Sequence, residues 1–467
     1  MRMRFAMRLL ALAAAMLGAA ASPSPSGLAN VAAANGHAAA VHLRATGERT
    51  IDGRHVTVTI DQFGTLRLFR RCVDDVCGGW WFDGRRRWSF GLNAVPFPDV
   101  DDALTPVRRT LAAIVSYAFA EPAFRTDGGS ADESGAFRWR VRAPQGAVLF
   151  AELDPATLAL RRVRAENGDV LAEYGHDVRA GGAVFALGRR GLDEQPVDAV
   201  EAVDGPLAAP DGVPATFAGS PRVALGDELV PVVPCTIAGR AVRCLLDTGS
   251  TPSALSLPLV EALHLEPRGE LEIAAFSRFA TGFVETGPLT LGAAHFARAR
   301  FAVVPAVRSQ HFDVVVGADL LARMHLSLDR AGAFALLEAP HAVAQRGGLP
   351  LFFESGVPHI ETALAGVAER ALLDTGDAAT VSLGYAQYRS GPQWPIAGHG
   401  LASGVAGAAD AFTVEIPELR LGGESLGPTQ AEVNRVQDGV HIGIGIWKRC
   451  VVDVDLSFAE FGCTVRR

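Results

Sequence analysis

The sequence predicts a mainly β protein in which two similar lobes follow a separate β-rich N-terminal domain. The pentapeptide Leu-Leu-Asp-Thr-Gly stands at residues 245–249 and again at 372–376. Shorter matches around the two copies recur in the same order and at a nearly constant spacing, which indicates a duplicated domain. Elsewhere, short runs of alternating apolar and polar residues lie between turns that contain glycine, which is typical of half-buried strands. A hydrophobic fraction of 49% and a charged fraction of 20% fit a globular chain.

The first residues are typical of an export signal. A basic start with three arginines precedes a short apolar run that ends in three alanines at 19–21, so we expect a signal peptide over residues 1–21. Residues 22–40 are rich in Ala, Ser, Pro and Gly and predict a flexible tether. An uncleaved membrane-anchoring helix is the alternative. Because no later apolar stretch reaches the ~20 residues that span a bilayer, we expect no integral membrane span after signal cleavage.

Residue usage and cysteines favour a location outside the cytoplasm. Lys448 is the only lysine, while arginine and alanine are abundant, which indicates a high-GC bacterial genome. The six cysteines form sequence-local pairs: Cys72 and Cys77, Cys235 and Cys244, Cys450 and Cys463. We therefore expect local disulfides and a periplasmic or secreted bacterial protein. A two-residue turn at 238–239 would place the cysteines of the second pair diagonally, in a stretched geometry.

The chain before the repeat is predicted to contain one domain and one linker. The N-terminal β-rich accessory domain is expected over residues 41–190, with an apolar packed helix at 110–119. Residues 191–221 are rich in Pro, Ala, Gly and acidic residues and predict a linker.

The repeat itself predicts two lobes of short strands. The first spans residues 222–338 and the second 351–467, with an interlobe linker at 339–350 that contains proline and a Gly-Gly pair. The main helical candidates of the first lobe are Pro258–Leu263 and Ala318–Met324.

These motifs resemble the aspartic peptidases, specifically retropepsin-like units of the bacterial aspartyl protease type, fused in one chain as in the bilobal pepsin-like enzymes. The resemblance covers residues 221–463 and depends on Asp-Thr-Gly-Ser at 247–250 and Asp-Thr-Gly at 374–376. A later element of two hydrophobic residues and a glycine reads Val315-Val316-Gly317 in the first repeat and His441-Ile442-Gly443 in the second. The resemblance implies an aspartic-peptidase-like pair of β-barrel lobes, each with one active-site loop.

The resemblance also implies the site residues. Asp247 and Asp374 are the predicted catalytic pair, facing each other, sharing a proton and activating a water that attacks a peptide carbonyl. Six residues are predicted to support the active-site loops: Thr248, Gly249, Ser250, Thr375, Gly376 and Asp377. The glycines would admit close backbone approach, the threonines would hold the loops in register, and the serine would hydrogen-bond Asp247.

Two residues of the second repeat depart from the family pattern. Asp377 stands where the first loop has Ser250, so it either points toward the dyad in protonated form or turns into solvent. His441 stands where an aliphatic residue is expected, unless the register shifts by two residues to Gly445.

Two loops could cover a bound substrate. The glycine-rich segment 398–404 of the second repeat resembles a mobile flap, and segment 275–279 of the first carries two phenylalanines that could line a pocket. Ordinary hairpin loops are the alternative for both.

The predicted function is that of an exported aspartic endopeptidase acting on a peptide or protein substrate. The net charge is -8 and the arginines are scattered, so the sequence contains no basic surface stripe of the kind that binds nucleic acid. No metal or organic cofactor is indicated. We expect a monomer with an intramolecular pseudo-dimer. The alternatives are a catalytically inactive periplasmic binding or scaffold protein and an assembly in which each unit pairs with one from another chain.

Overall fold

The computed structural model describes residues 41–51, 53–74, 76–99, 104–117, 125–131, 137–154, 157–192, 196–274, 278–305, 312–341, 348–404 and 407–465. The chain divides into two compact units. The first comprises residues 1–70, 82–87 and 101–209, and the second comprises 71–81, 88–100 and 210–467. The predicted signal peptide and tether lie outside the described residues.

The fold is mainly β, as the sequence predicts. The strands are β1 Leu43–Ile51, β2 Arg54–Phe63, β3 Leu66–Val73, β4 Val76–Phe82, β5 Arg87–Phe90, β6 Phe97–Pro98, β7 Arg125–Ala131, β8 Phe137–Arg142, β9 Val148–Leu153, β10 Leu160–Ala165, β11 Val170–Ala180, β12 Ala183–Gly191, β13 Ala199–Ala202, β14 Thr216–Phe217, β15 Arg222–Ala224, β16 Val232–Ile237, β17 Arg240–Leu246, β18 Ala254–Ser256, β19 Arg268–Ala274, β20 Arg278–Thr286, β21 Leu289–Leu291, β22 Ala294–Phe296, β23 Ala299–Val304, β24 Val314–Val316, β25 His325–Asp329, β26 Phe334–Glu338, β27 Leu349–Glu354, β28 Val357–Leu364, β29 Val367–Asp374, β30 Val381–Gly384, β31 Ile396–Gly404, β32 Gly407–Leu421, β33 Glu424–Asn434, β34 Val440–Gly443, β35 Cys450–Asp455 and β36 Glu460–Val465. The α-helices are α1 Thr105–Val115, α2 Leu257–Ala262, α3 Ala318–Leu321 and α4 Tyr385–Ser390, and a 3-10 helix spans Ile444–Lys448.

The first unit packs strands around helix α1. Strands β7 to β12 form a six-stranded sheet in the order β12-β11-β10-β9-β8-β7, and β1 pairs with both β2 and β13. The buried face of α1 contributes Leu111 and Ile114 to a core that also contains Trp139 and Phe185. The helix starts earlier than predicted because Pro106 is tolerated in a first turn. Strand β13 lies inside segment 191–221, so part of that predicted linker forms regular structure.

The two lobes of the second unit repeat one strand order. The first lobe contains the run β16-β17-β24-β18-β23-β20-β19, and the second contains β28-β29-β34-β30-β33-β32-β31. In each run the strand that precedes the active-site loop pairs in parallel with the later hydrophobic strand, β17 with β24 and β29 with β34. A duplicated sequence thus gives a duplicated topology.

A shared sheet joins the lobes within this unit. Strand β25 of the first lobe pairs antiparallel with β35 of the second, in the order β15-β26-β25-β35-β36-β27. One continuous hydrophobic core extends through both lobes, with Phe296 and Phe301 in the first and Trp447 and Phe461 in the second all fully buried.

All three predicted disulfides are formed. Cys72 bonds Cys77, Cys235 bonds Cys244, and Cys450 bonds Cys463. The second pair spans the two-residue turn with a Cα–Cα distance of 6.0 Å. The diagonal placement therefore accommodates the bond, because this separation is ordinary for a disulfide. Within the described residues, no helix has the length and apolar character needed to cross a membrane.

Candidate active site

Each candidate catalytic aspartate follows a strand that is buried in its lobe. Leu246 at the end of β17 and Leu373 in β29 are almost fully buried, which fixes the start of each loop. The backbone of Asp247 donates to Val316, and Asp374 stands opposite Gly443 across the parallel ladder. The two loops therefore leave equivalent strands at equivalent positions.

Reciprocal threonine hydrogen bonds connect the loops. The Thr248 hydroxyl donates to the Leu373 carbonyl at 2.6 Å, and the Thr375 hydroxyl donates to the Leu246 carbonyl at 2.7 Å. Each hydroxyl also accepts from the other threonine's backbone amide, at 3.0 and 3.1 Å. Both side chains are fully buried, so every bond is made away from competing water. This network holds the two aspartate-bearing loops in one arrangement.

The glycines bring each loop against the other lobe's carboxyl group. A β-carbon on Gly249 would lie 2.5 Å from Cγ of Asp374, and one on Gly376 would lie 2.5 Å from Cγ of Asp247. Each glycine amide also donates to its own loop's aspartate at 2.9 Å. No other residue fits these positions, because a β-carbon at that distance overlaps the carboxyl carbon.

The two carboxyl groups are hydrogen-bonded to each other and differ in pKa. Burial raises the pKa of Asp247 well above its usual range, and the neighbouring Asp374 carboxylate raises it further. Burial also raises the pKa of Asp374, but His441, Asp247 and the Gly376 amide together bring it below its ordinary value. Two adjacent carboxyls cannot both ionise cheaply, so the pair holds one proton, and Asp374 is the ionised member.

His441 occupies the position that the unshifted register assigns to it. It pairs with Leu372 across the ladder, as Val315 pairs with Leu245 in the first lobe. Its Nδ1 lies 3.7 Å from Oδ2 of Asp374. The alternative register through Gly445 does not occur.

Asp377 faces inward rather than into solvent. Its Oδ1 accepts the Ala379 amide at 2.9 Å, and its carboxyl is hydrogen-bonded to Ser382. Burial and the Asp374 charge raise the pKa of Asp377 to about 6. In weakly acidic solution it is therefore largely protonated, the state that the sequence requires if it points toward the dyad. The Ser250 hydroxyl donates to the Pro252 carbonyl at 3.4 Å and not to Asp247, so the predicted Ser250–Asp247 bond is absent from the described part of the chain.

A buried polar network that the sequence does not predict lies behind the first loop. Asp319 accepts the Ser253 hydroxyl at 2.6 Å and its amide at 3.0 Å, while the same hydroxyl accepts the Gly317 amide. Asn93 donates to the other Asp319 oxygen at 2.7 Å. The sequence feature that could have indicated this network is a difference between the repeats: the residue that corresponds to Asp319 in the second repeat is Gly445.

The predicted covering loops are hairpins. Segment 398–404 lies in β31, which pairs with β32, and Leu401 near its tip is 68% exposed. The first lobe has the equivalent hairpin of β19 and β20. Residues 275–277 at its tip lie outside the described residues, while Phe279 packs against the apolar residues of the first lobe.

Part of the first lobe is similar to known aspartyl proteases. Residues 233–320 match the family model described as aspartyl protease. Among solved structures, a retropepsin-like aspartic protease from Rickettsia conorii is 14% identical, with a TM-score of 0.19 over 22% of this chain and 78% of that chain. No curated protein sequence matches. The resemblance to aspartic peptidases that the duplicated motif predicts is confirmed by the match of residues 233–320.

Proposed function

We propose that the protein is an exported aspartic-type endopeptidase that hydrolyses peptide bonds with a water activated between Asp247 and Asp374. The observation that carries the proposal is the hydrogen-bonded carboxyl pair, positioned by the reciprocal bonds of Thr248 and Thr375. The match of residues 233–320 to aspartyl proteases supports a peptide substrate.

The chemistry follows from the unequal pKa values of the pair. Asp374, as the ionised carboxylate, accepts a proton from the water while the water oxygen attacks the peptide carbonyl carbon. Asp247, as the protonated carboxyl, donates to the developing oxyanion. The resulting tetrahedral intermediate breaks its C–N bond as Asp374 passes its proton to the leaving amine nitrogen, and a hydroxyl of the intermediate returns a proton to Asp247.

The pseudo-dimer within one chain supports action as a monomer, because both carboxyls come from the same polypeptide. Three disulfides support a periplasmic or secreted location, where such bonds form and persist. We assign the first unit an accessory role outside the chemistry.

The test is peptide cleavage by the wild-type protein and by Asp247→Asn and Asp374→Asn, from about pH 3 to pH 7. We expect either substitution to lower kcat/KM by at least ~100-fold, because each removes one partner of the acid–base pair. Asp227→Asn, which changes the same charge at an exposed position, is the matched control and should act as wild type.

Two outcomes would contradict the proposal. Activity that survives either dyad substitution would exclude the shared-proton mechanism. A wild-type protein that binds peptides but cleaves none would favour the binding or scaffold alternative, for which the inward-facing Asp377 is the specific observation.

A further inference from the structure

The strand face that carries Asp247 continues as a row of apolar residues across the first lobe. Side chains alternate along a strand, so Leu245 lies on the same face of β17 as Asp247. The register then links Val232 to Leu245, Leu245 to Val315, Val315 to Ala254 and Ala254 to Ala302. We call these five residues the lobe-1 row: Val232, Leu245, Val315, Ala254 and Ala302.

The same ladder in the second lobe carries different chemistry. Here the register links His359 to Leu372, Leu372 to His441, His441 to Ser382 and Ser382 to Glu432. The strands correspond one to one with those of the first lobe. We call these residues the lobe-2 row: His359, Leu372, His441, Ser382 and Glu432. Both rows have leucine at the second position, whereas the other four positions are apolar in the lobe-1 row and polar or ionisable in the lobe-2 row.

The lobe-1 row is a closed apolar surface. All five members are buried and belong to one hydrophobic cluster beside the first active-site loop. Leu271, Ile273 and Phe279 of the hairpin of β19 and β20 pack against that cluster. The five members are at most 5% exposed, so an apolar peptide side chain on this lobe would contact the partly buried hairpin residues Leu271, Ile273 and Phe279 that cover them.

The lobe-2 row approaches the dyad and contains a carboxyl group without a cation. His441 contacts Asp374 at 3.7 Å, so this row reaches the candidate catalytic site. Glu432 at its other end is partly buried, and the side chain that partly offsets the effect of burial on its pKa is the neutral Asn434. In the part of the chain that the structure describes, no ion pair to Glu432 is formed, and the first lobe has Ala302 at this position.

The two histidines do not neutralise Glu432. Burial lowers the pKa of His359, so this ring is uncharged near neutrality, and its nearest carboxylate is Glu354 at 4.0 Å. The His441 ring faces Asp374. Burial also raises the pKa of Glu432, as expected for a carboxyl that lacks a compensating charge. A cation in this position would restore the charged form and gain a charge-assisted hydrogen bond.

We propose that the two lobes form unequal subsites, and that the substrate is a peptide with an apolar side chain against the hairpin residues that cover the lobe-1 row, Leu271, Ile273 and Phe279, and a lysine or arginine side chain held by Glu432. The inference rests on the proposed peptidase function. It deepens that function by naming the class of peptide and the specificity-determining residue. Because the row includes the His441 that contacts Asp374, the basic residue would lie within one or two positions of the scissile bond.

The test uses peptides with leucine on one side of the cleaved bond and arginine, glutamine, leucine or glutamate at each of the two positions on the other side. We expect wild-type kcat/KM to favour arginine over glutamine by at least ~10-fold. Glu432→Gln should reduce that ratio to near one. Glu432→Ala should raise kcat/KM for the leucine peptide, since alanine is the residue that the first lobe has at this position. Glu424→Gln removes the same charge at an exposed turn and should leave the ratio unchanged.

A binding measurement separates this inference from the proposed function. Reduced-amide versions of the same peptides resist hydrolysis, and their Kd can be measured by calorimetry for the wild type and for both Glu432 variants. One outcome is that the arginine peptide binds more tightly in a way that depends on Glu432, while the same peptide with an ordinary amide bond is not cleaved. That result would support the subsite and overturn the proposed peptidase function. Cleavage or binding with no preference for arginine, or a preference unchanged in Glu432→Gln, would overturn the subsite.

Discussion

The imidazole of His441 faces the ionised carboxylate of Asp374, whereas its counterpart in the first lobe, Val315, is uncharged. This difference breaks the symmetry of the dyad. The pKa of Asp374 is lowered by His441, so the protein favours one of the two ways to place the shared proton. Other titratable groups near His441 are Asp377 and His359.

His441→Val makes the second lobe like the first at this position and should move the acidic limb of the pH profile upward. Without the His441 contact, the pKa of Asp374 rises, so the dyad gains its second proton at higher pH and kcat/KM falls several-fold at the acid edge. The measurement is kcat/KM against pH for one peptide. His441→Lys places an ammonium group beside Asp374 and should not move the limb upward. An unmoved limb in the valine variant would show that His441 does not bias the dyad.

Sequence alone identifies the residues that repeat and misses those that do not. Asp247 and Asp374 stand out because the same pentapeptide precedes each loop, and the pairing of Val315 and His441 follows from one alignment. Asn93 and Asp319 have no repeated counterpart, and they are separated by more than two hundred residues along the chain. Long-range hydrogen bonds of this kind depend on tertiary packing that a local pattern does not encode.

Segment 88–100 shows how an element can belong to a different unit from its sequence neighbours. The sequence predicts that this segment belongs to the N-terminal domain, but in the structure it belongs to the same compact unit as residues 210–467. Asn93 accepts the Arg300 amide and donates to the Arg300 carbonyl, both at 2.9 Å, and Phe97 contacts Phe353 with ring centroids 5.0 Å apart. The element thus supports both lobes of the second unit.

Asn93→Ala should destabilise the second unit by about 2–4 kcal/mol. The substitution leaves one oxygen of buried Asp319 without its donor and two backbone groups of Arg300 without partners. Urea denaturation followed by tryptophan fluorescence gives the change in free energy of unfolding. Asn167→Ala, at an exposed turn of the first unit, is the control. Equal stabilities of the two variants would mean that segment 88–100 does not support the lobes.

Local patterns predict the element types better than their ends. The two helical candidates of the first lobe are present, but the second ends at Leu321 and not at Met324, because the chain turns into β25 one short turn later. The predicted helix at 110–119 is present as Thr105–Val115. Its start depends on Pro106, whose fixed φ suits a first helical turn although proline interrupts an apolar pattern.

At the scale of the whole second unit, the duplication predicts two equal lobes but not how they are joined. The junction is the ladder of β25 and β35, which places His325 of the first lobe opposite Asp455 of the second. His325, Asp453 and Asp455 are each at most 5% exposed. The imidazole lies 3.6 Å from Asp453 and 3.8 Å from Asp455, and it stacks on His341 with centroids 3.9 Å apart. The sequence shows these residues as ordinary members of alternating strands, so the cluster becomes visible only when the lobes pair.

This cluster should make the junction sensitive to alkaline pH. Burial lowers the pKa of His325, but the two aspartates outweigh it and raise the pKa from 6.5 to about 9. A raised histidine pKa gives stability that is fully present below the unfolded value and is lost as the pH rises through about 9. The shift of about 2.5 pH units corresponds to at most ~3 kcal/mol. The pKa of Asp455 is lowered despite burial, mainly by His325 and Ser457, so its contribution is lost only as the pH falls.

His325→Gln should therefore remove a pH dependence as well as stability. We expect the wild type to lose up to ~3 kcal/mol of unfolding free energy between about pH 6 and about pH 10, and the variant to lose much less over that range. Chemical denaturation at each pH provides the measurement, with His399→Gln, an exposed histidine of the second-lobe hairpin, to subtract the background. If His325→Gln does not fold, Asp453→Asn tests the same ion pair by removing the charge of the aspartate and leaving His325 in place. If the free energy of unfolding changes with pH in the same way for wild type and variant, a charged His325 does not stabilise the junction between the lobes.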